Sequence, residues 1–149
     1  MIEQDGAITF EDVKELLDRS ELTDVVLYEN SSRRVDDAVA PEFTLQVLTR
    51  LDEQEFEVRC KVTAAGKGGQ YVADAGAVFS LQSPCKIEDG LARDFAEKVG
   101  VMTVYPYLRS AVGQSAAILG LDRPVLPLLR AGAIKLNRDE ATIDDKELQ

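Results

Sequence analysis

Hydrophobic and polar residues alternate with a period of two in three consecutive runs of the chain, at residues 43–51, 56–64 and 71–81. Strict alternation is typical of a β-strand with one buried and one wet face. Only short connections separate the runs, which predicts an antiparallel meander. Residues 22–29 are rich in β-forming side chains and predict one further strand before the meander.

The spacing of apolar residues changes to the helical period of 3.6 after the last run. The residues with this spacing are Ile87, Leu91, Phe95, Val99 and Met102. They predict a helix that ends at Gly100. A second, longer helix follows, and Pro106 fits its first turn because proline has no backbone N–H to leave unpaired. Strands followed by helices predict an α+β domain with a four-stranded antiparallel sheet and long helices packed on one face.

Both ends of the chain have patterns of their own. Apolar residues between positions 10 and 17 have helical spacing, and the segment 9–12 resembles a capping box, which predicts a short amphipathic helix over residues 10–19. Residues 138–149 contain five carboxylates and two basic side chains and have little to bury. We expect a single domain over residues 1–137, followed by a mobile acidic tail over residues 138–149.

The acidic composition argues against nucleic acid as a partner. The 149 residues include 27 acidic and 17 basic side chains, giving a net charge of −10, and phosphate backbones would be repelled. The sequence has no run of about 18 to 20 apolar residues that could span a membrane, and its first residues are acidic where a signal peptide is basic. We therefore expect a cytoplasmic protein without a nucleic-acid or membrane partner.

The sequence offers no assembled set of catalytic residues. It contains no histidine, the most common general base and a frequent metal ligand. The glycine-rich stretch 66–69 is too short for a phosphate-binding loop, and the acidic pairs at 36–37 and 144–145 are typical of solvated charges. Cys60 and Cys85 lack the spacing of a zinc site or a disulfide framework. We therefore expect no enzymatic activity, no metal and no cofactor.

The start of the long helix carries a short motif. Its residues are Tyr105-Pro106-Tyr107-Leu108-Arg109, and a segment rich in leucine and proline, 125–129, follows the helix. Together with the strand at 77–81, this arrangement resembles the SecB family of export chaperones, and in particular the SecB-like chaperones of toxin–antitoxin–chaperone systems. The pattern extends over residues 22–136. The tyrosines of the motif have two interpretations, packing with a bonded hydroxyl or direct contact with a ligand.

The resemblance implies a holdase that binds unfolded or aggregation-prone clients, such as an antitoxin or a preprotein, without ATP. It also implies a homotetramer built as a dimer of dimers. The alternative is a dedicated adaptor or assembly protein of the same fold that binds one folded partner. In the strand segment 71–75 only Asp74 offers a carboxylate, whereas the export chaperones meet the SecA motor through an acidic sheet face. Coupling to SecA is therefore doubtful.

The resemblance further implies a client groove between the sheet, a crossing loop over residues 30–41 and the final apolar segment. The predicted client-binding residues are Tyr28, Val35, Val39, Phe43, Leu45, Leu126, Leu128 and Leu129. One face of the long helix combines leucine and valine with small residues and is expected to contact another subunit. The predicted interface residues are Leu108, Ala111, Val112, Ala116 and Leu119.

Overall fold

The computed structural model describes residues 8–130 and the backbone of residues 141–144. In chain order the elements are β1 (Ile8–Thr9), α1 (Val13–Asp18), β2 (Ser20–Arg34), β3 (Glu42–Asp52), β4 (Glu55–Gly66), β5 (Gly69–Leu81), β6 (Cys85–Lys86), α2 (Asp89–Phe95), a π-helical turn (Ala96–Gly100), α3 (Val101–Leu119) and β7 (Ala141–Asp144). The predicted α+β class, the four antiparallel strands and the short N-terminal helix are confirmed. None of the helices between residues 8 and 130 combines the length and hydropathy that a membrane span requires.

The main sheet of the described residues has the strand order β2-β5-β4-β3-β7, with all neighbours antiparallel. Its pairing places Val47 opposite Cys60, and Cys60 opposite Ala75. Apolar residues of the three alternating runs are buried on one face of the sheet, as the period of two predicts. They are Phe43, Leu45, Val47, Phe56, Val58, Cys60, Val62, Ala64, Tyr71, Ala73, Ala75, Ala77, Phe79 and Leu81.

Strand β2 is longer than the sequence indicates. Residues 30–34 pair with β5, with Asn30 opposite Ala73 and Arg34 opposite Gly69, so the crossing loop is only residues 35–41. The extension is polar and its side chains are exposed on both faces, so it lacks the alternation of a half-buried strand. Bulges near Leu22 and Leu27 shift its register.

One nearly continuous helical layer covers the apolar face of the sheet. Gly100 does not end a helix, as predicted; its φ of −61° is helical, and a β-carbon there would collide with Val58 of β4. The glycine therefore serves close packing of helix and sheet. Pro106 also lies inside α3 rather than at its start. The helix ends at Gly120, which is left-handed (φ 72°), and the Leu121 amide donates to the Ala116 carbonyl at 2.9 Å.

The buried face of α3 includes four of the five residues predicted to form a subunit interface. Leu108, Ala111, Val112 and Ala116 are buried within the subunit, and Leu119 is half-buried. These four side chains pack within their own subunit, where the small Ala111 and Ala116 let α3 approach its own sheet. Deeper in the same core, the Phe95 ring meets Phe56 and Phe79 edge-on, with centroids 5.6 Å and 5.1 Å apart.

Both ends of the described chain differ in detail from the predictions. Helix α1 starts later than predicted: Asp12 is its N-cap and accepts from the Glu15 amide at 2.8 Å, while the Glu11 amide donates back to the Glu15 carboxylate. The capping box is thus 12–15 rather than 9–12. Within the expected tail, β7 pairs with β3; the other residues of 138–149 lie outside the described part.

Candidate functional site

An open groove of about 250 Å³ lies where three segments meet beside the end of the sheet. The start of β3 contributes Pro41 and Phe43, the end of β4 and its turn contribute residues 64–67, and the chain after α3 contributes residues 124–127. Carbon-rich side chains dominate the walls, and Glu42 and Lys67 are the charged residues of the lining. Such a groove favours contact with apolar groups of a partner.

The groove wall after α3 is an extended segment, residues 121–130, held by contacts to distant parts of the chain. The Tyr105 hydroxyl donates to the Pro127 carbonyl at 2.5 Å, and the Lys67 ammonium donates to the Arg123 carbonyl at 3.4 Å. Burial raises the pKa of Tyr105, which keeps the phenol protonated as a donor at neutral pH. Tyr105 is therefore a packing residue with a bonded hydroxyl, the first of the two interpretations of the motif.

Side chains of this extended segment divide into anchors and exposed groups. Leu126 and Leu129 are buried, whereas Val125 and Leu128 are 87% and 71% exposed. Residues three positions apart therefore share the same environment in this segment. The anchors fix the wall to the core, and the exposed groups give it an apolar surface.

The crossing loop is tied to the turn between β4 and β5. The Val35 amide donates to the Gly68 carbonyl at 2.9 Å, and a β-carbon on Gly68 would lie 2.6 Å from the Asp37 carboxylate. Asp36 folds the loop, since its carboxylate accepts from the Ala38 amide at 2.9 Å. Val39 is exposed at the far end of the loop.

The structure brings some of the predicted client-binding residues together and separates others. Phe43 and Leu126 line the groove, although little of either side chain is exposed. Leu45 is fully buried and, like Leu129, belongs to the core, because the alternation of β3 turns both Phe43 and Leu45 towards the helices. The sequence prediction missed Val125, which is both exposed and part of the groove. The prolines on either side of it are the signal that could have identified it.

Tyr28, predicted for the groove, lies on the opposite, outer face of the sheet. Its hydroxyl donates to Glu57, which raises the pKa of Tyr28, and Arg59 stacks over its ring with the guanidinium carbon 4.0 Å from the centroid. Gly76 lies under the Glu57 side chain, where a β-carbon would collide with the carboxylate. Tyr28 is therefore separated from the groove by the thickness of the sheet.

The two most buried carboxylates of the outer face are paired with arginines. Arg59 holds Asp74 through two hydrogen bonds of 2.9 Å and 2.8 Å, and Arg50 lies 3.3 Å from Glu57. Both carboxylates are almost completely buried. The centre of this face is thus a closed network of charge-assisted hydrogen bonds. The sequence could not show these pairs, because they depend on strand register.

Comparison with solved structures identifies the class of fold. The Rv1957 SecB-like chaperone of Mycobacterium tuberculosis, solved in complex with a ChAD peptide from the Rv1956 HigA1 antitoxin, matches with a TM-score of 0.62 and 19% sequence identity. The match covers 78% of this chain and 95% of that one. The described sheet and helical layer therefore have a SecB-like fold.

Sequence comparison identifies the family. No protein-family model matches the chain. The SecB-like chaperone SmegB of Mycolicibacterium smegmatis is 73% identical over 145 residues, which are 97% of this chain and 99% of SmegB. The chain belongs to the family of SecB-like chaperones.

Proposed function

We propose that the protein is an ATP-independent holdase whose groove binds exposed apolar segments of unfolded or aggregation-prone clients. The observation that carries the proposal is the proline-stiffened segment after α3, in which the exposed Val125 lines the groove and the exposed Leu128 lies just beyond the lining residues. A rigid apolar wall loses little entropy when a client binds. Membership in the SecB-like chaperones supports this reading.

Contacts of this kind suit a chaperone that meets many sequences. Apolar burial contributes about 25 cal/mol per Å² and has no directional requirement. Binding should therefore depend on how much apolar surface a client segment offers and only weakly on salt. A client long enough to reach several subunits gains further from effective concentration.

Two client classes follow from the comparisons and the resemblance. The antitoxin peptide bound by Rv1957 makes an antitoxin segment a fitting client for this chain as well; a preprotein on its way to transport is the other. The competing possibility is an adaptor for one folded partner. We do not propose coupling to SecA, because Asp74 and Glu57 of the outer face already pair with Arg59 and Arg50.

The direct test is suppression of aggregation of a reduced, unfolded model protein in the absence of nucleotide. The proposed holdase keeps such a client in solution at near-stoichiometric ratios. A protein that leaves aggregation unchanged but forms a complex with one folded partner is an adaptor instead. High salt serves as a control, because apolar capture should persist in it.

A cytoplasmic location is part of the proposal. Both cysteines of the chain, Cys60 and Cys85, are free thiols, as expected for a protein in a reducing compartment. Cys60 is fully buried, and burial raises its pKa well above the usual range, so the thiol stays protonated and unreactive.

We also propose a homotetramer, assembled as a dimer of dimers through the outer face of α3. Since four of the five predicted interface residues are buried within the subunit, the exposed stripe on the other side of the helix is the better candidate. Its residues are Tyr107, Ser110, Gln114, Ala117 and Ile118. Ile118 is 85% exposed, which is unusual for an isoleucine on a helix and favours cover by another subunit.

Ile118→Asp should break this assembly without unfolding the subunit. A carboxylate facing an apolar partner would lose hydration without gaining a counter-charge, whereas in the free subunit the side chain remains in water. Multi-angle light scattering at micromolar concentration should show a species smaller than the wild-type protein.

The matched control is Leu48→Asp, the same change at an exposed apolar residue on the outer sheet face, near Arg59 and Lys61. It should leave the mass unchanged. An Ile118→Asp protein with the wild-type mass would exclude this helix face as the interface.

A further inference from the structure

The edge of β3 that faces away from β4 is occupied by the chain's own C-terminal strand. The pairing runs antiparallel from Val47 opposite Ala141 to Thr44 opposite Asp144. Within the described part of the chain, four positions of β3 pair with β7, whereas β3 spans eleven residues. A short strand added at a sheet edge satisfies a few backbone groups and is held by a correspondingly small number of hydrogen bonds.

This edge continues directly into the groove. Thr44, the last position covered by β7, follows Phe43, which lines the groove together with Pro41 and Val125. An extended chain that leaves the groove alongside β3 would therefore enter the place that Asp144 and its neighbours hold. The groove offers apolar side-chain contacts, and the edge offers backbone hydrogen bonds.

We propose that the β3 edge is a second part of the client site, which takes an extended client segment as an added antiparallel strand, and that residues 141–144 compete for it. The inference rests on the proposed holdase function. Strand addition is tolerant of sequence because its hydrogen bonds come from the backbone. The occupant is a stretch of unfolded chain, and the tail strand keeps the edge covered until such a stretch arrives.

The composition of the tail fits a weak competitor. The strand Ala-Thr-Ile-Asp has a single large apolar side chain, and two more carboxylates, Asp145 and Glu147, follow it. A client segment rich in valine, isoleucine or aromatic residues has higher β-propensity and better cross-strand contacts. Such a segment should displace the tail, whereas polar segments of folded proteins should not. The tail thereby limits capture to segments that pair with β3 more favourably than residues 141–144 do.

A disulfide between β3 and β7 can hold the tail strand on the β3 edge, so that a client cannot replace it. Gln46 lies directly opposite Thr142, and opposed residues of antiparallel strands have Cα atoms about 4.5–5.5 Å apart, which suits a disulfide. The full-length variant carries Gln46→Cys and Thr142→Cys, with Cys85→Ser to prevent exchange. The probe is a fluorescent, cysteine-free, unstructured peptide rich in valine and isoleucine, and its affinity is measured by anisotropy.

Oxidation should lower the affinity of the double-cysteine variant for this peptide by about fivefold or more, and reduction should restore it, since only the reduced tail can leave the edge. The Gln46→Cys single variant should show no redox effect. Equal affinity in both states would overturn the inference while leaving the holdase proposal intact. Failure of the disulfide to form would also overturn it, whereas a peptide that binds neither state would refute the holdase proposal.

Two single proline variants of the tail strand test the opposite change, the release of the tail from β3. Adjacent residues of a strand direct their N–H groups to opposite sides, so either Thr142 or Ile143 donates towards β3. Of the variants Thr142→Pro and Ile143→Pro, one should release the tail and bind the peptide about threefold or more tightly than the wild type, because proline removes a ladder hydrogen bond. Weaker binding by both would show that the tail assists capture, contrary to the inference.

Discussion

Val58→Asp should abolish the cooperative thermal transition of the protein. Val58 has no exposed surface and lies against Gly100 of the helical layer, which passes too close to leave room even for a β-carbon. An unpaired carboxylate there costs several kcal/mol, against a typical domain stability of about 5–15 kcal/mol. Circular dichroism with a thermal melt measures the effect.

The control is Lys61→Asp on the same strand. Lys61 lies on the outer face, 3.7 Å from Glu29, and its side chain is partly exposed, so the new carboxylate stays hydrated and costs only about 1 kcal/mol or less. Similar melting curves for the two variants would mean that β4 presents its other face to the helices.

Replacing Val125 and Leu128 together by serine should weaken client capture strongly while leaving stability nearly unchanged. Both side chains are exposed, so the folded subunit loses little packing. A client loses two apolar contacts, each worth up to about 1.5 kcal/mol if half of the side chain is covered. The affinity for an unfolded client should therefore fall by roughly tenfold or more, as measured by anisotropy and by aggregation suppression.

Two further variants distinguish capture by the groove from capture by any exposed apolar side chain. Leu27→Ser removes an exposed leucine from β2, at the other end of the described sheet from β3 and β7, and should leave capture intact. Leu126→Ser removes a buried anchor of the same segment, so it should lower the melting temperature. Unchanged capture by the Val125 and Leu128 double variant would mean that this wall does not contact clients.

The buried face of the sheet could be predicted from the sequence because alternation is a local signal. Val58 and Cys60 fall on the buried face as the period of two requires. Gly100 was misinterpreted because glycine serves helix ends and close packing equally well, and only the position of Val58 decides between them. The extension of β2 was missed because a polar terminal strand does not alternate.

The functional surfaces depend on contacts between residues far apart in sequence. The final segment is held by bonds from distant residues, such as the bond from Tyr105 to Pro127, 22 positions later, so the local sequence does not indicate which of its residues are exposed. Tyr28 was predicted for the groove, but it contacts Glu57 and Arg59 on the outer face, and these contacts depend on how distant strands pair. The pairing of β7 with β3 joins residues about a hundred positions apart, and no local pattern in an acidic tail indicates it.

The central claim, that the groove captures unfolded clients, is tested most directly by site-specific photo-cross-linking. A photoreactive amino acid replaces either Val125 in the groove or Leu27 of β2, at the other end of the described sheet from β3 and β7; both positions are exposed. With a reduced, unfolded model protein as client, we expect cross-links from position 125 and few from position 27, and an excess of unlabelled client should remove them. Cross-linking that is equal at the two positions, or stronger at position 27, would contradict the account.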